Sequence, residues 1–189
     1  MEIDDYIVAT DGRLVNLASQ GDQQAFEHLY TRYHEAIMRL FEMRLAGDKE
    51  AAEDLVQETF IKVYLHLDAY AEEYTFGQWV YTIARNTMVD YLRRRTDDVS
   101  IDSAARAPIA PIATTPTPEE SVIQSQRRAH FEDSLAELTE DYRRIIELRF
   151  IDEYSYEEIA DRLGRPINTI KTQIRRAKAA VSKMILEKE

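Results

Sequence analysis

The chain of 189 residues contains no cysteine, which excludes disulfides, thiolate metal sites and a cysteine nucleophile. It has no apolar run long enough to span a bilayer. Its first residues, MEIDDYIVATDGR, are acidic where an export leader would be cationic, so the expected location is cytoplasmic. His28, His34, His66 and His130 stand at no spacing that suits a nucleophile relay or a metal. Glu53, Asp54 and Glu58 cluster, but no histidine completes a ligand set around them. A carboxylate-based hydrolase therefore finds no support. No catalytic residue, metal, cofactor or small-molecule substrate is expected.

Alternating apolar and polar positions of the strand type are also lacking, and what remains is helical. The apolar share is 44%, enough for real cores. The reading is all-α: two small helical domains joined by a flexible Pro/Ala-rich linker, with a helix-turn-helix in the second. The boundaries are 1–96, 97–117 and 118–189. The linker, DDVSIDSAARAPIAPIATTPT, holds Pro108, Pro111 and Pro116 and no aromatic residue. Such a segment favours extended backbone and buries little. It reads either as a passive tether or as a strand that occupies a channel in a partner.

The net charge is −11, but its distribution is uneven. Residues 1–96 carry 10 basic and 17 acidic groups, whereas Arg162 to Lys188 holds eight basic residues against one acid. A second basic cluster is Arg93, Arg94 and Arg95. An anionic body with two cationic patches is repelled by bulk nucleic acid and should bind it weakly alone.

The densest signal is SYEEIADRLGRPINTIKTQIRRA, residues 155–177. Ser155 and Glu158 form a capping box that opens one short helix. Gly164 and Pro166 break the chain, and a second helix follows from about Asn168, which stands as its cap. On a 3.6-residue period Ile170, Ile174, Ala177, Val181 and Met184 share a face. Asn168, Lys171, Thr172, Arg175 and Arg176 lie on or near the opposite one. An apolar back and a row of donors suit a helix laid in a DNA major groove. An ordinary surface helix with solvated cations is the plainer alternative. Ahead of this unit, Thr139 or Glu140 opens a helix that runs through Phe150.

Two helices of the first domain carry further patterns. Over 54–67, Leu55, Val56, Thr59, Phe60, Val63 and Leu67 make a core stripe. Opposite them sit Asp54, Gln57, Glu58, Ile61 and Leu65: an apolar centre rimmed by carboxylates and an amide. That suits a protein contact patch, although scattered surface hydrophobes are common. Over 76–95, Phe76, Trp79, Val80, Ile83 and Thr87 are core, and Thr82, Arg85, Asn86, Val89 and Arg93 face away. Tyr70 and Tyr74 precede them in a loop. Aromatics beside amides and cations suit unstacked single-stranded bases.

Taken together, GDQQAFEHLYTRYH at 21–34, AEDLVQETFIKVY at 52–64, FGQWVYTIARNTMVDYLRR at 76–94 and LTEDYRRIIELRFIDEYSYEEIADRLGRPINTIKTQIRRAK at 138–178 resemble the extracytoplasmic-function (ECF) sigma factors of the sigma-70 superfamily. These are promoter-specificity subunits of bacterial RNA polymerase, and the resemblance covers nearly the whole chain. It implies that Asp54, Gln57 and Glu58 dock on the clamp coiled-coil of core polymerase, with Ile61 and Leu65 added here from the residue pattern. It implies minus-ten recognition and melting by the loop at 68–75 with Tyr70 and Tyr74, and by the helix bearing Arg85, Asn86 and Arg93. Asn86 would help form the pocket for a flipped base. Arg149 would take a phosphate, and Asn168, Thr169, Lys171, Thr172, Arg175 and Arg176 would read the minus-35 duplex. The second domain would lie near the flap of the polymerase, and the linker would run toward the RNA exit channel. An anti-sigma partner is a family expectation. The sequence departs from the family pattern in having Asn168 where many members have glycine, and in the acidic Glu72 and Glu73. An autonomous helix-turn-helix regulator is the competing class, and it would grip duplex DNA without polymerase.

Overall fold

The structure is a computed structural model that describes residues 3–70, 74–97 and 135–186. Linker residues 98–117 and the loop residues Glu72 and Glu73 lie outside the described residues, while Asp97, read as the first linker residue, ends the last helix of the first half. Those described are helical throughout, with no strand among them. The first half holds α1 (Ile3–Val8), α2 (Asp11–Ser19), α3 (Gln23–Arg44), α4 (Lys49–Leu65) and α5 (Phe76–Asp97). The second holds α6 (Glu140–Ile146), a π-helical turn (Glu147–Ile151), α7 (Tyr156–Leu163) and α8 (Ile167–Leu186).

Short polar side chains start most of these helices by satisfying first-turn amides that have no partner within the helix. Thr10, Asp22 and Asp48 accept from the backbone N–H of Arg13, Ala25 and Ala51. Thr75 and Gln78 form a reciprocal capping box at α5, with bonds of 3.3 and 3.1 Å. Ser155 and Glu158 form the expected box at α7, at 3.2 and 2.7 Å. The short α1 gains its support from outside: Tyr6 Oη donates to Asp22 at 2.8 Å, and Arg32 donates to the Tyr6 and Ile7 carbonyls.

Along α4 the predicted stripe of Leu55, Val56, Thr59, Phe60, Val63 and Leu67 is buried, as are Phe76, Trp79, Val80, Ile83 and Thr87 at α5. These helices pack on α3 through Phe26, Leu29, Ile37 and Phe41, with edge-on aromatic pairs Phe26–Tyr64, Tyr30–Phe60 and Tyr33–Phe76. The second half has its own smaller cluster of Ile145, Leu148, Tyr156, Ile159, Ile170 and Ile174.

The halves do not stand apart. The C-terminal part of α8 lies across α4 and α3, and Ala177, Val181 and Ile185 join the larger apolar cluster of the first half. Phe26, Phe60 and Ile61 meet Ser182, Ile185 and Leu186 along a narrow crevice. Gln23 Nε2 donates to the Met184 and Ile185 carbonyls at 3.0 and 2.9 Å, which closes the end of α8 on the first half.

Candidate nucleic-acid interface and the α4 face

The turn between α7 and α8 has the geometry the sequence implies. Gly164 adopts φ 61° and ψ 34°, and the Arg165 N–H reaches back to the Ala160 carbonyl at 3.0 Å, a glycine-terminated helix end. The start of α8 differs from expectation in one respect. Pro166, not Asn168, sits at the cap, and its carbonyl accepts from Thr169 and Ile170. Asn168 is the second residue of the helix and its side chain is exposed.

From there Asn168, Thr169, Lys171, Thr172 and Arg176 form an exposed row, while Ile170 and Ile174 hold the back of the helix. Thr172 donates its hydroxyl to the Asn168 carbonyl at 3.0 Å. Arg175 is exposed too, yet it pairs with Glu50 in the first turn of α4, across the two halves.

The candidate single-strand surface is only partly assembled among the described residues. Tyr74 is 53% exposed. Tyr70 is half-buried, its ring 5.5 Å from Phe76 and 5.7 Å from Trp79, and its hydroxyl donates to the Tyr74 carbonyl at 2.7 Å. Tyr70 thus belongs as much to the aromatic core as to the loop. Arg85 is exposed, whereas Asn86 and Arg93 are half-buried. The Nδ2 of Asn86 is buried and makes no hydrogen bond.

On α4 the patch of Asp54, Gln57, Glu58, Ile61 and Leu65 is occupied from within the chain. Ile61 is 1% exposed and Glu58 is 0% exposed, because α8 covers them. Glu58 accepts from Arg149 at 2.9 Å and Lys178 at 3.2 Å, both from the second half. Lys62 at 3.2 Å and Arg94 at 3.7 Å complete the ring from the first half. Burial opposes the charge of Glu58, but Lys62, Lys178, Arg149 and Arg94 outweigh it and hold the carboxyl well below the usual carboxylate range. Lys178 is fully buried and also reaches Asp54 at 2.6 Å.

Arg149 lies in the π-helical turn, donates to the Tyr154 carbonyl at 3.2 Å and faces the Tyr156 ring. In this arrangement its guanidinium meets a carboxylate, where the resemblance implies a phosphate. Lys178 and Lys62 are residues that sequence reasoning passed over, and Arg94 stood there only as part of a basic cluster, with no partner on α4. The signal for Lys178 is present in the helical period: it falls between Ile174 and Val181 on the buried stripe, and a charge there requires an acidic partner.

Residues 29–97 match the family described as Sigma-70 region 2, and residues 129–181 match Sigma-70, region 4. The chain is 30% identical over 177 residues to the ECF RNA polymerase sigma factor SigW of Bacillus subtilis (strain 168), covering 90% of this chain and 94% of the relative. It is 33% identical over 183 residues to the ECF RNA polymerase sigma-E factor of Escherichia coli (strain K12), at 93% and 94% coverage. Among solved structures, Rhodobacter sphaeroides SigE in complex with the anti-sigma ChrR is similar at 23% identity and a TM-score of 0.39, covering 96% of this chain and 98% of that one. The chain belongs to the ECF sigma factors of the sigma-70 family and serves in transcription initiation. Among the described residues, no helix is long and apolar enough to cross a membrane.

Proposed function

We propose that this chain works as a two-reader adaptor for core RNA polymerase in the cytoplasm, with no catalysis and no cofactor of its own. The first domain, 1–96, docks on the clamp coiled-coil through Asp54, Gln57, Glu58, Ile61 and Leu65. It captures the opened minus-ten strand with Tyr70, Tyr74, Arg85, Asn86 and Arg93. The last domain, 118–189, sits by the flap and reads the minus-35 duplex with Asn168, Thr169, Lys171, Thr172, Arg175 and Arg176, while Arg149 takes a phosphate. The linker, 97–117, sets the separation of the two readers. An anti-sigma protein holds the chain off polymerase until it is needed.

The observation that carries this reading is the exposed donor row on α8, presented by a helix whose back is buried and whose entry follows a capped helix and a left-handed glycine. The anionic body accounts for the reliance on polymerase, which supplies the non-specific affinity. The chemistry at Asn86 fits as well. A buried amide donor without a partner is costly unless something fills its hydrogen bond, and a flipped base edge supplies an acceptor.

Selection from a random duplex library tests the proposal. Core polymerase with this chain should recover two sequence elements at one fixed spacing, and the chain alone should recover little. Recovery of paired half-sites by the chain alone would mean an autonomous regulator instead.

A further inference from the structure

Gly77 stands in the first turn of α5, and glycine is a poor helix former, so its presence there needs a reason. The reason lies on α3. A Cβ at Gly77 would come within 3.0 Å of Tyr33 Cε1 and 3.3 Å of its Oη, closer than side chains ordinarily pack. The ring cannot easily swing aside, because Tyr33 Oη donates to Asp11 at the start of α2 at 2.5 Å. Arg32 donates to the same carboxylate at 2.8 Å, which fixes Asp11 as well. Burial first, and then the bond to Asp11, push the Tyr33 hydroxyl above the ordinary phenol range, so it stays a donor.

From this pin a row of aromatic contacts leads to the loop read as the minus-ten reader. The Tyr33 ring meets Phe76 edge-on at 5.5 Å, and Phe76 meets Tyr70 at 5.5 Å and Trp79 at 5.7 Å. Tyr70 in turn donates to the Tyr74 carbonyl at 2.7 Å. Edge-on pairs fix the angle between rings as well as burying their area.

We propose that Tyr33, oriented by Asp11, is a positioning residue for minus-ten recognition. It sets the height of the first turn of α5 and, through Phe76 and Tyr70, the place of Tyr74 relative to Asn86. Glycine at 77 lets the two helices approach closely enough for this. The inference rests on the reading of Tyr70, Tyr74 and Asn86 as the base-contacting set. Base capture needs the rings of the loop and the amide of α5 in one fixed geometry, so a small displacement at Gly77 is felt there.

Open-complex formation by core polymerase with the full chain tests this, followed with a fluorescent base analogue in the selected promoter. Templates carry single-base changes in either the minus-ten or the minus-35 element. Wild type should prefer the selected minus-ten base by about tenfold. Tyr33→Phe keeps the ring but loses the bond to Asp11, and Gly77→Ala displaces the turn. Each, with its helical circular dichroism retained, should reduce the preference to about threefold or less and keep the wild-type preference at minus-35. Asp11→Asn leaves an oxygen that accepts from Tyr33 and should retain the wild-type minus-ten preference.

A merely structural Tyr33 would lower the fraction of active chain and leave both preferences as they are. Unchanged minus-ten preference in both folded variants would therefore overturn the proposal, as would equal loss at the two elements. Tyr74→Ala is the control on the loop itself. Loss in Tyr74→Ala alone would overturn the proposal and leave the base-contacting reading standing. Wild-type preference in Tyr74→Ala as well would remove that reading, and the proposal with it.

Discussion

Glu58 draws cations from four elements: Lys62 on its own helix, Arg94 on α5, Arg149 in the π-helical turn and Lys178 on α8. Removing one member of a buried charge cluster leaves the rest unpaired, at a cost of about 3–5 kcal/mol. Glu58→Ala should lower the unfolding free energy by that amount in urea titration, and an unchanged midpoint would contradict the role. The pH dependence follows from the direction of its shift. Folding depresses the Glu58 pKa, so its stabilisation is complete above the ordinary unfolded carboxylate value. It is lost only as pH falls through the lower folded value. The gap between wild type and Glu58→Ala should therefore hold from pH 7 to about 5; a gap that closes within that window would count against the assignment. Asn86 predicts the opposite pattern. Its Nδ2 is buried without a partner, so Asn86→Ala should leave thermal stability unchanged or raised. Promoter opening should slow, which permanganate footprinting measures; normal melting would reject the base-capturing role.

At the scale of elements, α7 and α8 are legible in sequence because their signals are local. Ser155 and Glu158 are three residues apart, Gly164 ends the turn, and the apolar stripe from Ile170 to Val181 keeps one period. The core stripes of α4 and α5 are legible for the same reason. Three features are not. The short α1 depends on Tyr6 and Arg32 reaching partners 16 to 26 residues away. The π-helical turn at Glu147–Ile151 carries no composition signal that separates it from the α-helix expected there. The cover on Glu58 and Ile61 comes from residues about 120 positions later, so a helical wheel of α4 alone shows an open patch where the fold has an interface. Two substitutions probe these elements. An added Cβ at Gly164 meets no atom within 4 Å, so Gly164→Ala should destabilise by about 1 kcal/mol through its left-handed backbone alone. Thermal denaturation checks this, and a loss several times larger would mean a packing role instead. Arg175→Ala should weaken use of the upstream promoter element by about 1–3 kcal/mol and relax base choice there. Transcription that stays unchanged across minus-35 variants would remove Arg175 from the reading helix.

For the whole molecule, charge organises the account. A net charge of −11 with the cations gathered near the C-terminus suits the pairing of the second half with the acidic α4. Family membership and the all-helical class are legible in the sequence because several motifs recur in order. The packing of the halves on each other is not, because it depends on pairings that no local period encodes.

Run-off transcription with purified core polymerase, with and without this chain, tests the central claim most directly. The account predicts that core alone gives no discrete transcript from the selected promoter and that adding the chain produces one of defined start. Equal transcription in both reactions, with the chain folded and present in excess, would contradict it.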